Sequence, residues 1–584
     1  MQGAIQLYEK SLVHHSPGHP DCAISLANFA LSLWNTTTVS STQTLSRIFD
    51  LLREGAEDHA APPAIYLRCA RRWVLYAQKV QDDTQLTTAY TNIINFLRRY
   101  LTIGPTVKLQ YASLFAADLR PLPVDAACHA IQTNNIEQAV EWLDSSRSLL
   151  WSEMRRFREE LLQSEALGAD LVNQFVSLCA DLQRLATAEV QYAPSVSAEK
   201  VISSQFQHSL SVPHYDIYPQ KRKLLAEYDR LLAVIRTKPG LENFLGNLSF
   251  ETLKTAAKEG PVIIINCSEH GSHVIIVFAE GPPTLIHLDK TFREDAYAVR
   301  TMYLDALWDA RGFRSSPGSF GKTLETVASE LWDLIVARVV EALAAAKVAK
   351  GSRIWWCPTS FLSILPFHAA GRGRKFLVDF YISSYTPTLK ALIDARRPSP
   401  PSAPKAQKRY PHTFVVAQTQ EASGLPSAAE EKIEICKLGP FVECIDEEQA
   451  TREAVLRRLP SCTWVHFICH GTVSQESPFD SSLPLADAPI SLNDIMKAHL
   501  PYAKFAFLAA CHTAEQSAEA LHDETLHLAA AMQSSGFRSV VGTMWEMEDK
   551  DGRRGFTRSC SKETVWQRRG IRGLRMLCVR SQRS

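Results

Sequence analysis

The chain has 584 residues, 46% of them hydrophobic and 21% charged, and a formal net charge of +1 at pH 7. That length exceeds one core and predicts about two to four domains. The near-neutral balance gives no electrostatic reason to expect nucleic acid or an anionic membrane as partner, no run approaches the roughly 18 apolar residues of a membrane span, and residues 1–10 lack the charged-then-apolar order of a signal peptide.

The expected location is therefore the cytoplasm. The thirteen cysteines include no Cys-x-x-Cys pair and no zinc-ligand spacing, so they read as reduced, mostly buried small hydrophobes, with no metal or cofactor expected.

Residues 1–190 read as helical, with apolar positions at 3.6-residue spacing. Ala4, Tyr8, Ser11, Leu12 and Pro17 fit the second helix of a tetratricopeptide-like unit, and Ala23, Leu26, Ala27 and Ala30 fit the first helix of the next. The second-helix pattern recurs at Ala89, Ile93, Phe96, Leu97 and Pro105, and again at Ala139, Leu143 and Ser146. The expectation is a degenerate α-solenoid; the plainer reading is an irregular amphipathic bundle. A repeat array that opens on a second helix lacks its partner, so truncation at the N-terminus is expected. Residues 191–220 read as a linker.

Residues 221–550 read as a second domain. A polar helical stretch, clearest over 221–238, gives way to short buried strands at 262–266, 274–278, 284–288 and 353–357, with helical material over 322–349. Strands alternating with longer helices predict an α/β sheet. Trp355 and Trp356 read as core of the fourth strand, not as a ligand-stacking pair. The prolines of 396–411 remove donors and fix φ, so this segment is expected to be a loop or linker, a plain surface insertion in preference to the alternative, a site of processing. Strands resume at 413–417. Residues 551–584 are Arg-rich and without helical or strand period; they read as a gene-model artefact in preference to the alternative, a basic tail that binds an acidic partner.

Two later strands carry the chemistry. One ends in His470-Gly471 and the other in Cys511-His512-Thr513, 41 positions apart counted from His470 to Cys511. Short apolar runs rich in aliphatic and aromatic residues predict strands buried on both faces of a parallel sheet. Reactive groups of such sheets sit just past the carboxyl ends of the strands. If the two strands are neighbours, His470 and Cys511 emerge side by side as a nucleophile and its base. The backbone amides of Gly471 and Cys511 are then candidates to hold an oxyanion, with Gly471 leaving room for substrate. His466 shares the face of His470 but lies deeper in the strand, Cys469 alternates to the opposite face, and His512 is expected to orient substrate or meet solvent. The chain has no phosphate-binding glycine loop, no His-Glu-x-x-His and no Gly-x-Ser-x-Gly, so nucleotide, zinc-peptidase and serine-hydrolase chemistry lack their residues.

The 41-residue interval is similar to the interval of roughly 50 in caspases, although the Gln-Ala-Cys-x-Gly wording of that family is replaced here by Ala509-Ala510-Cys511-His512-Thr513. His470-Gly471, Cys511-His512-Thr513 and residues 536–545, together with 353–371 and 425–431, resemble the CHAT family in the form found in its fungal members. The resemblance covers about residues 220–550 and suits a module carried behind tetratricopeptide repeats. It implies an overall α + α/β class, an N-terminal α-solenoid followed by a caspase-like α/β/α sandwich. It also implies a cysteine endopeptidase with His470 and Cys511 as its dyad. Asp523 and Glu524 fall where members often carry acids, with no role assigned. After Asp549 the sequence departs from the family, which continues into a helix packed on the sheet.

Two functions follow as expectations. The first is a cysteine endopeptidase acting on a protein or peptide substrate, with the helical repeats recruiting that substrate or a protein partner. The alternative is a catalytically silent scaffold that serves protein interaction or signalling. Retention of both His470 and Cys511 favours the first.

Overall fold

The computed structural model describes residues 2–15, 19, 21–36, 41–103, 121–147, 167–192, 213–311, 317–396, 412–418, 425, 427–437, 441–474, 477–498, 500, 502–515 and 526–545. Pro17, Pro105, residues 397–411, Asp523, Glu524 and the 551–584 tail lie outside them. Two compact units make up the chain, Met1–Ser249 and Phe250–Ser584.

The first unit is helical. Helices α1 (Gln2–His14), α2 (Cys22–Thr36), α3 (Thr42–Glu57), α4 (Pro63–Val80) and α5 (Asp83–Ile103) each pack on the next, as do α6 (Leu122–Gln132) and α7 (Ile136–Ser145). Small residues set the approach. Ala23, Ala27 and Ala30 are fully buried on α2, and a Cβ placed on Gly55 of α3 would stand 2.7 Å from the Cys69 sulfur of α4. The residues that sequence spacing singles out on the later helices are also buried: Ala89, Ile93, Phe96, Leu97, Ala139, Leu143 and Ser146. Helices α8 (Ala169–Tyr192) and α9 (Pro213–Arg236) pair around Phe175, Leu182, Tyr228 and Leu231. Arg99 on α5 reaches Asp229 on α9 at 3.0 Å, and buried Arg98 donates to the Gly246 carbonyl at 2.7 Å.

The second unit holds two five-stranded sheets. In the first the order is β3 (Thr284–His287), β2 (Gly271–Val277), β1 (Val262–Ser268), β4 (Arg353–Pro358) and β5 (Ile382–Tyr385). Its β1–β2 and β2–β3 pairs are antiparallel, whereas β1–β4 and β4–β5 are parallel. Strand β1 is buried along its whole length, as the unbroken run Val-Ile-Ile-Ile requires. Helix α10 (Phe292–Arg311) and helices α11 (Pro317–Leu331) and α12 (Ala337–Ala345), joined by a π-turn at Trp332–Val336, contribute Tyr303, Leu331, Val339 and Leu343 to the core of this sheet. Trp356 is fully buried there, whereas Trp355 is half-exposed and flanked by the guanidinium groups of Arg353 and Arg396, at 5.6 and 5.3 Å from its ring.

The second sheet is wholly parallel. Its order is β10 (Ser539–Val541), β9 (Phe505–Ala509), β8 (Trp464–Ile468), β6 (Thr413–Ala417) and β7 (Val442–Asp446). Phe414 and Val416 on one face of β6 and Val415 and Ala417 on the other are all fully buried, which is why these strands read as continuous apolar runs without alternation. Helix α13 (Ala428–Cys436) lies between β6 and β7 in sequence and packs Ala428 and Ile435 on Val415, Ile468 and Phe507. Among the described residues, no helix is long and apolar enough to cross a membrane.

Candidate active site

Strands β8 and β9 are hydrogen-bonded neighbours at the centre of the second sheet. Their register aligns Trp464 with Phe505 and Ile468 with Ala509, an offset of 41 residues. His470 and Cys511 are separated by the same 41 positions and each lies two residues past its strand's last paired position. They therefore leave the carboxyl edge of the sheet at matching heights, on strands about 4.8 Å apart. The His470 side chain is exposed, and Cys511 is half-buried.

Gly471 shows how tightly the two strand ends meet. A Cβ on this residue would stand 2.0 Å from the Cys511 carbonyl oxygen and 3.5 Å from the Cys511 nitrogen. The space freed by the absent side chain is taken up by the backbone that carries the thiol. The chain after Gly471 is fixed in turn, since Thr472 exchanges backbone hydrogen bonds with Ser482 at 2.9 and 3.0 Å.

The turn that follows Cys511 is held from several sides. Thr513 is fully buried; its hydroxyl oxygen accepts from the Thr543 amide at 3.0 Å, and its carbonyl accepts from the Ala529 amide at 2.8 Å. The Thr543 hydroxyl donates to the Ala510 carbonyl at 2.7 Å, and the Ala514 amide donates to the Thr543 carbonyl at 2.8 Å. Within this frame His512 sits at φ +61°, a left-handed conformation that costs a residue with a Cβ on the order of 1 kcal/mol. Its ring does not face open solvent: Nδ1 lies 2.5 Å from Oε2 of Glu515, and the two side chains are 13% and 5% exposed. A buried carboxylate is expensive unless paired, and His512 is that partner. The pair places an oriented imidazole at the residue next to the thiol.

The other sequence candidates take structural positions. His466 is buried at the middle of β8, stacked on Phe507 with ring centroids 4.7 Å apart, and its Nε2 lies 2.8 Å from Oε1 of the equally buried Glu431 on α13. Cys469 is 1% exposed on the opposite face from His466, and burial, followed by the charge of Cys511, pushes its thiol up to about 12. A thiol so raised is almost wholly protonated at neutral pH, which leaves Cys511 as the accessible sulfur at this edge.

Sequence spacing does not single out Glu431, Thr513, Glu515 or Thr543. The signals that could have exposed them are weak: a Glu in the 425–431 run, and a His and Glu three residues apart after a cysteine.

Residues with metal-ligand chemistry occur in the helical unit. His15, His19 and Asp21 offer ligand atoms within 4.8 Å of one another. Both Nδ1 atoms are already engaged, that of His15 by the Ser25 hydroxyl at 2.8 Å and that of His19 by the Asp21 amide at 3.1 Å.

Residues 325–568 match the family model described as the CHAT domain. No curated protein matches the sequence. Among solved structures, a chain of the Saccharomyces cerevisiae separase–securin complex is similar with a TM-score of 0.35 and 10% sequence identity, covering 96% of this chain and 51% of that one. The chain thus spans about half the length of that structure's chain.

Proposed function

We propose that this chain, which carries a CHAT domain over residues 325–568, is a cysteine endopeptidase of caspase-like type with Cys511 as nucleophile and His470 as its base. One observation carries the reading: the β8–β9 register offset equals the His470–Cys511 interval, so two groups suited to nucleophilic catalysis leave adjacent central strands together. In this scheme His470 takes the Cys511 proton and the thiolate attacks the carbonyl carbon of a peptide bond. The negative charge that develops on the carbonyl oxygen is held by the backbone amides of Gly471 and Cys511. As the carbon–nitrogen bond breaks, His470 returns the proton to the leaving amine. It then takes a proton from water, which attacks the thioester and releases the acid and the thiol. Glu515 and His512 brace the turn that presents the nucleophile.

The substrate is a protein or peptide. The helical unit, read as tetratricopeptide-like repeats over 1–190, recruits that substrate or a regulatory protein partner, with the caspase-like module in the unit Phe250–Ser584 and the cytoplasm as the compartment. Neither nucleic acid nor a membrane surface is a proposed partner, since the net charge of +1 supplies no footprint for either.

A thiol-reactive peptidyl probe followed by peptide mapping tests the dyad. Cys511 is expected to be labelled in preference to the other twelve cysteines, and labelling is expected to disappear in His470→Ala. Labelling without preference for Cys511, or labelling that survives His470→Ala, defeats the reading in favour of a silent scaffold.

A further inference from the structure

A second pair of sulfurs stands away from the strand ends that carry His470 and Cys511, on the flank of the same sheet. Cys436 is the last residue of α13 and is exposed; Cys444 is the central residue of the edge strand β7 and is half-buried. Strands β6 and β7 are parallel, so the helix that connects them runs antiparallel to both. One cross-link already records their alignment, the ion pair of Lys432 on α13 with Asp446 on β7. From Lys432 to Cys436 the helix advances four residues, about 6 Å at about 1.5 Å per residue. From Asp446 back to Cys444 the strand covers two residues, about 6.6 Å in the same direction, and the side chain returns to the same face. The two thiols therefore face one another as the Lys432 and Asp446 groups do, and Cys436 is close enough to act on the ionisation of Cys444.

We propose that Cys436 and Cys444 are a thiol-oxidation site that closes into a reversible disulfide, with a low-molecular-weight disulfide such as oxidised glutathione as the oxidant. The exposed Cys436 reacts first: its thiolate attacks one sulfur of oxidised glutathione, forming a mixed disulfide and releasing one glutathione thiolate, which takes up a proton. Cys444 then loses its proton to solvent and attacks the Cys436 sulfur, forming the internal disulfide and releasing the second glutathione. Two protein thiols are oxidised, and one glutathione disulfide is reduced to two thiols.

The surroundings favour this order. Burial first, and then the proximity and charge of Cys436, push the Cys444 thiol up to about 12, while Lys432 acts in the opposite direction. Once Cys436 is capped its two contributions vanish, and although burial still holds the Cys444 thiol up, that of Lys432 remains to oppose it, so the mixed disulfide eases ionisation of Cys444.

The proposal is independent of any activity at Cys511. The full chain, with Cys511→Ser introduced to remove the other accessible sulfur of the sheet, is equilibrated across a series of reduced and oxidised glutathione ratios. Remaining thiols are then blocked and the chain is cut with trypsin. Cleavage after Lys432, Lys437 and Arg452 separates residues 433–437 from 438–452. The expected result is a linked pair of these two peptides, lighter by two hydrogens than their sum and separated by dithiothreitol. In Cys436→Ser the link is lost and Cys444 stays unmodified. A Cys436 that remains capped by glutathione beside an unreacted Cys444, absence of the linked pair at every ratio, or linkage confined to denatured chain would each overturn the proposal.

Discussion

The contact between Gly471 and the Cys511 backbone is the most sterically demanding feature of the candidate site. An alanine there would bring its Cβ to 2.0 Å from a carbonyl oxygen, and the obstructing atom belongs to the backbone, not to a side chain that can swing aside. Something must move, and what moves is the strand end that carries the thiol. Gly471→Ala is therefore expected to slow alkylation of Cys511 in the native chain by about tenfold or more, the scale set when a catalytic group is displaced by about an ångström. Peptide-resolved alkylation rates, with Cys436 as the internal control, measure it; an unchanged Cys511 rate would mean that the strand end yields without moving the sulfur. At the same scale, the pairing of His512 with Glu515 escapes sequence analysis because it depends on a backbone angle. A His and a Glu three residues apart are unremarkable in a helix or a strand, and only the left-handed turn at His512 folds them together.

At the scale of elements, much of the site was legible and its support was not. The strands ending near His470 and Cys511 follow from short apolar runs, and their pairing makes the sequence interval meaningful because it equals the register offset. The sequence does not divide the longer strands between two five-stranded sheets, since alternation of strand and helix reports the class of layer and not which edges pair. Nor does it expose the His466–Glu431 pair, whose members are 35 residues apart and on different elements.

A comparable polar tie joins the turn Phe367–Ala369 to strand β5. The Tyr385 hydroxyl accepts from the His368 amide at 3.1 Å and lies 2.9 Å from its Nδ1, to which it donates in the tautomer protonated at Nε2. Burial lowers the His368 imidazole from 6.5 to about 4. Below pH 6.5 the unfolded chain binds a proton that the folded chain refuses until about pH 4, so the unfolded state binds more protons across that window and stability falls as pH falls. A displacement of this size corresponds to at most about 3 kcal/mol. Urea unfolding between pH 7 and pH 4 is expected to show a slope to which His273 and His527, also lowered by burial to about 4, contribute alongside His368, and His368→Gln, whose amide oxygen can still accept from Tyr385, is expected to reduce it by one proton. An identical slope in the variant would assign the acid sensitivity elsewhere.

On the scale of the whole molecule, the chain carries separate apolar cores: one of helices, around Phe175, Tyr228 and Phe244, and others on the two sheets, around Ile263, Trp356 and Leu365 and around Val415, Ile468 and Phe507. A core of its own is what makes a unit able to unfold cooperatively by itself. The buried Glu431–His466 pair offers a way to address one unit selectively. Removing one partner of such a pair leaves an uncompensated polar group in the core and costs about 3 kcal/mol or more. Glu431→Ala should therefore lower the denaturant midpoint of the transition in which the buried Cys462 and Cys469 become open to alkylation. The transition that exposes Cys69 and Cys179, thiols buried in the helical unit, should keep its midpoint. Glu431→Gln, which preserves an acceptor for His466 Nε2–H, should lie between Glu431→Ala and the parent chain. Alkylation mapped peptide by peptide across a urea series reads both units in one experiment. Equal displacement of both midpoints would show that the chain unfolds as a single cooperative body, and that the division at Ser249 and Phe250 is one of contact and not of stability.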